Sequence, residues 1–284
     1  MTGQQIACGN KVPSSIAQIG VATKYTLLDY VRSRRFYILL SLIALISVIL
    51  TIVVAVYRPA GFLSSDLSFY NGWWGNFALI IIALIGVFFG GDAISGEFQN
   101  KTGYFVLPNP VRRSSIYIGK WLAAFIASSI ILGVFAAITV SNGLYYFGGV
   151  PFQFGESLLF AWFYLTAVLG FTFFFSSLFK NNSYSILVSI ILFLFAFTLI
   201  QEVVASLVQI EPWFILTYGG QIIGNVLTTT YPAHLTTSSF GPGGGGATLM
   251  SYNATIPEGL AIIAVYFIVT AIIGLVLFER KEFT

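Results

Sequence analysis

The chain has 284 residues, of which 57% are hydrophobic and only 8% are charged, and its mean hydropathy is +0.89. These values exclude an ordinary soluble domain and place the chain in a lipid bilayer. The formal net charge of +3 does not indicate nucleic-acid binding, because the basic residues lie beside hydrophobic runs, where they set membrane topology and meet anionic lipid.

The first predicted element is an amphipathic helix at residues 14–35. Ile16 and Leu27 fall on one side of a helical wheel, while Gln18 and Arg32 fall on the other. A helix of this kind lies along a membrane leaflet rather than across it, and the alternative is a plain solvated tail. The same segment has basic residues but no apolar core, so we expect no cleaved signal peptide.

Six apolar runs follow, each long enough for a helix to cross a hydrocarbon core of roughly 30 Å. They cover residues 37–56, 73–91, 121–140, 157–179, 184–208 and 259–278. Strands of a β-barrel would alternate polar and apolar residues, whereas residues 80–85 are apolar throughout. The sequence therefore predicts an all-α polytopic membrane protein, with residues 1–284 forming a single transmembrane domain.

Lysine and arginine determine the expected orientation, since they remain on the cytoplasmic side. With the N-terminus inside, every basic residue except Arg58 falls in the cytoplasm. We therefore expect a multi-pass protein of the cell membrane with both termini cytoplasmic. The tryptophans fall near the ends of predicted spans and are expected to anchor at the interface; they are Trp73, Trp74, Trp121, Trp162 and Trp213.

Residues 209–257 form an external loop in this topology. Its apolar part, 213–227, is too short to span and is interrupted by glycines, which predicts a re-entrant or interfacial segment. The glycine-rich part, 241–246, lacks the residues of a phosphate-binding loop and is predicted to be a flexible linker. Asn253 begins the sequence Asn-Ala-Thr, a candidate glycosylation site on the external side.

Few side chains offer the chemistry of a catalytic or metal site. Cys8 and His234 are each the single residue of their kind, so the sequence predicts no catalytic centre and no metal site, with His234 simply solvated. Gln201 and Glu202 lie within the fifth apolar run. Intramembrane acids are costly and often functional, but we favour hydration or a hydrogen bond to a neighbouring helix as the explanation of Glu202.

The most polar long stretch lies between the second and third runs. Residues 95–107 are predicted to form a short helix, in which Glu97 and Lys101 stand four residues apart as a favourable pair. Two prolines then end the helix. From the residues alone, an ordinary connecting loop explains this stretch as well as a helix that receives a push from a soluble partner.

The stretch ISGEFQNKTGYFVLPNPVRRSSIYIGKWLA resembles the ATP-binding cassette (ABC) transporter permeases of the type-2 export class. In that family an acidic residue, a Gly-Thr-like pair, a Leu-x-x-Pro-Val-x-Arg run and a Gly-Lys pair follow the second span. Here the Gly-Thr pair is inverted and Pro108 is an addition. The candidate ATPase-coupling residues are Asp92, Glu97, Lys101, Thr102, Gly103, Leu107, Pro110, Arg113 and Lys120.

The resemblance implies ATP-driven export by two permease subunits, identical or different, on two ATPase subunits, with residues 95–107 as the coupling helix. ATP and Mg would bind to the ATPase, a separate chain, so this chain is expected to be non-catalytic and to bind no cofactor. Its apolar, aromatic-rich interior suggests a hydrophobic or amphipathic substrate. Two alternatives remain open: an ion-coupled carrier that uses Glu202, and a membrane anchor or assembly subunit that transports nothing.

Overall fold

A computed structural model of the chain describes residues 14–99, 112–239 and 248–281. Within these ranges the fold is helical apart from one two-stranded hairpin, and six helical stretches are long and apolar enough to cross a membrane. We number them spans 1 to 6: Arg34–Tyr57, Asp66–Gln99, Arg113–Phe147, Phe152–Leu178, Asn182–Val208 and Ile256–Arg280. The predicted all-α polytopic class is confirmed. Most of the helices begin or end a few residues beyond the predicted runs.

Spans 2 and 5 are not continuous α-helices. Span 2 consists of Asp66–Tyr70, a π-helical turn at Asn71–Gly75, the helix Asn76–Gly90 and the short helix Ser95–Gln99. Span 5 consists of Asn182–Ile191, a π-helical turn at Leu192–Ala196, Phe197–Val203 and a second π-helical turn at Val204–Val208. A one-turn helix, Ala60–Leu63, joins spans 1 and 2. Turns of the π type inside helices frequently occur at functional sites.

An amphipathic helix, α1 (Ser15–Arg32), precedes span 1 and lies across one end of the bundle, packed on span 3. The Ser14 hydroxyl accepts a hydrogen bond from a backbone N–H of its first turn, which satisfies one of the free donors there. Gly119 of span 3 allows close contact, because an added Cβ would lie 2.6 Å from the Ala22 Cβ. We call this end of the bundle the α1 face and the other end the opposite face.

Span 4 packs against spans 2, 5 and 6 in the middle of the bundle. Gly86 and Gly90 stand one helical turn apart on span 2, and a Cβ at either position would collide with Val168 or Thr172 of span 4. Small residues at this spacing let two membrane helices approach closely. The helix Asn76–Gly90 of span 2 is therefore in close contact with span 4 as far as the α1 face.

The tryptophan prediction is wrong for Trp73 and Trp74, which are both 0% exposed. The Trp74 indole N–H donates to the Ser157 hydroxyl over 3.0 Å, and its ring stacks on Phe135. The helix begins at Asp66, so these two rings lie inside the bundle rather than at its edge.

Two short helices on the opposite face, Leu216–Gly220 and Ile222–Asn225, occupy most of the predicted re-entrant segment. They pack against spans 4 and 6, and with five and four residues they are too short to cross a membrane. The hairpin that follows pairs Leu235–Ser239 with Thr248–Tyr252 in antiparallel register. It was not predicted, because two five-residue strands without regular hydrophobic alternation give no periodic signal. The glycine-rich residues 241–246 lie outside the described residues.

Candidate functional site

Two ion pairs on the α1 face join the end of span 2 to its neighbours. Asp92 pairs with Arg35 at the start of span 1, and Glu97 Oε1 lies 2.6 Å from the Lys120 ammonium of span 3. Lys120 also donates to the Ala93 carbonyl over 2.8 Å. The side chains of Asp92 and Glu97 are only 17% and 16% exposed. Both carboxylates therefore hold the end of span 2 against spans 1 and 3, and neither is a free surface charge.

The short helix Ser95–Gln99 is also attached to spans 4 and 5. The Ser176 hydroxyl of span 4 accepts hydrogen bonds from the backbone N–H groups of Ile94 and Ser95, each over 2.9 Å. The Gln99 side-chain oxygen accepts from the backbone N–H of Asn182, at the start of span 5, over 2.9 Å. Because these bonds satisfy free donors at two helix starts, they fix the short helix in position.

Lys281, immediately after span 6, completes this set of attachments. Its ammonium donates to the carbonyls of Ser177 and Phe179 over 2.9 and 2.8 Å and lies 4.3 Å from the centre of the Phe98 ring. Burial and the neighbouring Lys180 lower the pKa of Lys281 to about 8. The carbonyls and the ring favour the charged form, so the ammonium remains charged at neutral pH and links span 6 to span 4 and the short helix.

Arginines at the start of span 3 connect it to span 6 and to α1. Arg113 donates from Nη1 to the carbonyls of Glu279 and Lys281, both over 2.9 Å. A cation at the last carbonyls of a helix is favourable. The backbone N–H of Arg112 donates to the Gln18 side chain of α1 over 3.1 Å.

Much of the predicted coupling stretch lies outside the described residues. These positions are Lys101, Thr102, Gly103, Leu107 and Pro110. Of the predicted coupling helix 95–107, the described part is Ser95–Gln99, which is helical. Of the remaining candidates, the structure brings Asp92, Glu97 and Lys120 together around one cavity and places Arg113 beside span 6.

This cavity, of about 570 Å³, opens between α1 and the ends of spans 2 and 3. Asp29, Arg35 and Glu97 are among the charged groups in its wall. The Tyr30 hydroxyl, also in the wall, donates to the Phe89 carbonyl over 3.0 Å. Burial raises the pKa of Tyr30, so the hydroxyl stays neutral. Chemically, the cavity can receive charged side chains of a docking protein.

Gln201 and Glu202, the polar residues predicted within the fifth span, lie in different environments. Gln201 accepts a hydrogen bond from the Thr217 hydroxyl over 2.9 Å and lines a cavity of about 330 Å³ with Tyr164 and Phe193. Glu202 is exposed on the outside of span 5 and does not line that cavity. The structure therefore brings Gln201, but not Glu202, to an internal site.

On the opposite face, the Asn253 side chain donates to the Ala233 carbonyl over 2.9 Å. The His234 side chain is 45% exposed, and its ring also lies beside Glu211 and Glu258. Sequence reasoning missed this cluster because its three members are far apart in the chain, and no spacing motif connects them.

Comparison with known proteins bears on the family of the chain. No curated protein matches the chain. The sequence pattern of the family described as ABC-2 family transporter protein matches residues 23–283. This match covers far more than half of the chain, including all six spans and both ion pairs of the α1 face. The chain therefore belongs to the ABC-2 family of transporter proteins.

Proposed function

We propose that this chain is the permease subunit of an ATP-driven exporter in the cell membrane. It works with a second permease subunit and with a separate ATPase, which binds ATP and Mg and contacts the α1 face. This chain binds neither and carries out no catalysis itself.

The short helix Ser95–Gln99 and its attachments are the main support for this proposal. Ion pairing and hydrogen bonds connect it to spans 3, 4 and 5, and the ring of Phe98 contacts the lysine that follows span 6. A force applied to this helix therefore reaches four spans directly. Helices packed in this way move as rigid units between discrete arrangements, as alternating access requires.

The distribution of basic residues supports a cytoplasmic α1 face. Arg35, Arg113, Lys120 and Lys281 all lie at this end of the bundle, and each contacts a neighbouring element there. Arg58 lies at the other end of span 1. Basic residues concentrate on the cytoplasmic side of membrane proteins, so both termini belong in the cytoplasm.

The cavity beside Gln201 supports a hydrophobic or amphipathic substrate. Its wall combines apolar side chains such as Leu79, Ile80 and Phe193 with polar ones such as Gln201 and Thr217. A pocket with a mostly apolar wall and a few polar groups suits a ligand of the same character. Because Glu202 lies outside this wall, the cavity favours the ATP-driven exporter over the ion-coupled carrier.

Purification of the full chain from its own host, in mild detergent and with nucleotide present, tests the proposal. We expect mass spectrometry to find an ABC-type ATPase in the complex, and the complex to hydrolyse ATP. An unrelated six-span protein with the same tag is the control. Recovery of the intact chain without any ATPase, both in detergent and after cross-linking in the native membrane, would contradict the proposal.

A further inference from the structure

Three side chains with metal-ligand chemistry meet on the opposite face. They are Glu211, which follows span 5, His234 at the base of the hairpin, and Glu258 in the first turn of span 6. One ligand atom from each lies within 4.8 Å of the other two. Three separate segments of the chain therefore supply an imidazole and two carboxylates to one point.

The hydrogen bonding of His234 directs a lone pair toward this point. Its Nδ1 lies 3.1 Å from the Asn253 carbonyl, which only accepts, so Nδ1 carries the proton and donates. In the neutral ring Nε2 is then an acceptor, and it faces the carboxylate oxygen Oε2 of Glu211 at 3.4 Å. Either a proton on Nε2 or a metal ion between Nε2 and Oε2 joins these two atoms. This orientation, with Nδ1 donating to a carbonyl, is typical of metal-binding histidines.

Both carboxylates are also held by a second partner. The Tyr218 hydroxyl donates to Oε1 of Glu211 over 2.7 Å. The backbone N–H of Thr255 donates to Oε2 of Glu258 over 3.3 Å, as part of a capping box. Each glutamate thus has one oxygen held by a group outside the cluster. Supporting contacts of this kind orient metal ligands before the metal arrives.

The two carboxylates give the cluster negative charge, and the basic side chain beside them is His234. Within residues 14–99, 112–239 and 248–281, no lysine or arginine forms an ion pair with Glu211 or Glu258. A divalent cation would neutralise this negative charge.

We propose that Glu211, His234 and Glu258 form a binding site for Zn²⁺. One imidazole nitrogen and two carboxylate oxygens match the ligands of zinc, whereas calcium and magnesium prefer oxygen ligands alone. Three protein ligands leave a fourth tetrahedral position for water. The ion would join the ends of spans 5 and 6 to the hairpin, and this inference does not depend on the proposed transport function.

Titration of Zn²⁺ into the purified full chain tests the site. The protein carries a histidine-free tag and the substitution Cys8→Ser and is stripped with EDTA before calorimetry. We expect about one Zn²⁺ per chain, a higher Tm with Zn²⁺ than with EDTA, and weaker binding of Ca²⁺ and Mg²⁺. His234→Ala and Glu211→Gln should each weaken Zn²⁺ binding at least about tenfold. Glu156→Gln, a carboxylate outside the cluster, is the control and should bind normally.

Removal of a supporting contact provides a second test that leaves all three ligands present. Tyr218→Phe deletes the hydroxyl that holds Glu211, and we expect about tenfold weaker Zn²⁺ binding with unchanged stoichiometry. Helix content by circular dichroism and elution volume confirm that each variant is folded. No Zn²⁺ uptake by the folded starting protein would overturn the site. Equal affinity for Zn²⁺ and Ca²⁺, or unchanged Zn²⁺ affinity in both His234→Ala and Glu211→Gln, would do the same.

Discussion

The Lys120 ammonium of span 3 lies 2.6 Å from the Glu97 carboxylate of the short helix, and both side chains are largely buried. Glu97 is therefore engaged within the chain, and its contribution to a partner contact comes through the position of the short helix. The neighbouring Gly119 brings α1 against span 3. Gly119 and Lys120 thus have separate structural roles. Gly119 allows close contact with α1, and Lys120 pairs with the short helix at the end of span 2.

The ion pair between Glu97 and Lys120 predicts that reversing both charges restores the stability that reversing one of them removes. Glu97→Lys places two ammonium groups together in a largely buried site, so we expect a lower Tm and weaker association with the ATPase. Adding Lys120→Glu restores the opposite charges and should recover both. A double-mutant cycle on the free energy of unfolding should give a coupling of about 0.5–3 kcal/mol.

Arg58→Glu, at the opposite end of span 1, is the matched charge reversal and should leave ATPase association unchanged. If Glu97 instead contacts the ATPase directly, the swapped Glu97→Lys, Lys120→Glu chain will fold normally but fail to bind. That result would contradict the role assigned to the pair.

Gly119→Leu should displace α1 from span 3, because even a Cβ at this position meets Ala22 and the Ile19 carbonyl, 3.0 Å away. Overpacking of this kind costs about 1–3 kcal/mol. We expect a lower Tm and faster tryptic cleavage after Lys24, measured by mass spectrometry. Gly133→Leu on the same helix has open space around the new side chain and should behave as the unaltered chain; equal cleavage rates for both variants would disprove the contact.

Ser176→Ala should destabilise the short helix, because the backbone N–H groups of Ile94 and Ser95 lose their shared acceptor in a buried site. Each unsatisfied buried donor costs about 1–3 kcal/mol. Thermal unfolding in detergent measures the loss. The neighbouring Ser177 is also buried, and its hydroxyl has no hydrogen-bond partner among the described residues. Ser177→Ala is therefore the control, and an equal loss of stability in the two variants would exclude the capping role.

Both termini and the α1 face should be cytoplasmic. In a Cys8→Ser background, Ser65→Cys and Ser239→Cys should react with a membrane-impermeant thiol reagent in intact cells, because they lie on the opposite face. Ser114→Cys, at the start of span 3, should react only after permeabilisation. The reverse labelling pattern would invert the proposed topology and, with it, the side on which an ATPase binds.

Glu202→Gln should leave ATPase association and ATP hydrolysis by the complex unchanged, since Glu202 is exposed on span 5 and does not line the internal cavity. Glutamine keeps the shape of the side chain and removes its charge and titratable proton. Gln201→Leu deletes the acceptor of the Thr217 bond and should instead lower the Tm. Loss of ATP hydrolysis in Glu202→Gln with normal expression would show that this carboxylate takes part in coupling.

The sequence by itself determined the class of the protein and the number of its spans. A helix in lipid must satisfy its own backbone hydrogen bonds and expose apolar side chains, and both requirements are local, so the six runs could be read directly. The amphipathic pattern of α1 was visible for the same reason. The motif around Glu97 and Lys120 indicated the family, because its residues lie close together in the chain.

Only the tertiary structure decided which side chains meet. Glu97 pairs with Lys120 rather than serving as a free docking charge, Trp73 and Trp74 lie in the core, and His234 joins two distant glutamates. None of these contacts follows from periodicity, which reports only the face that a residue occupies on its own helix. Contacts between helices depend on where small residues such as Gly90 and Gly119 allow close approach, and that is a property of two packed surfaces together.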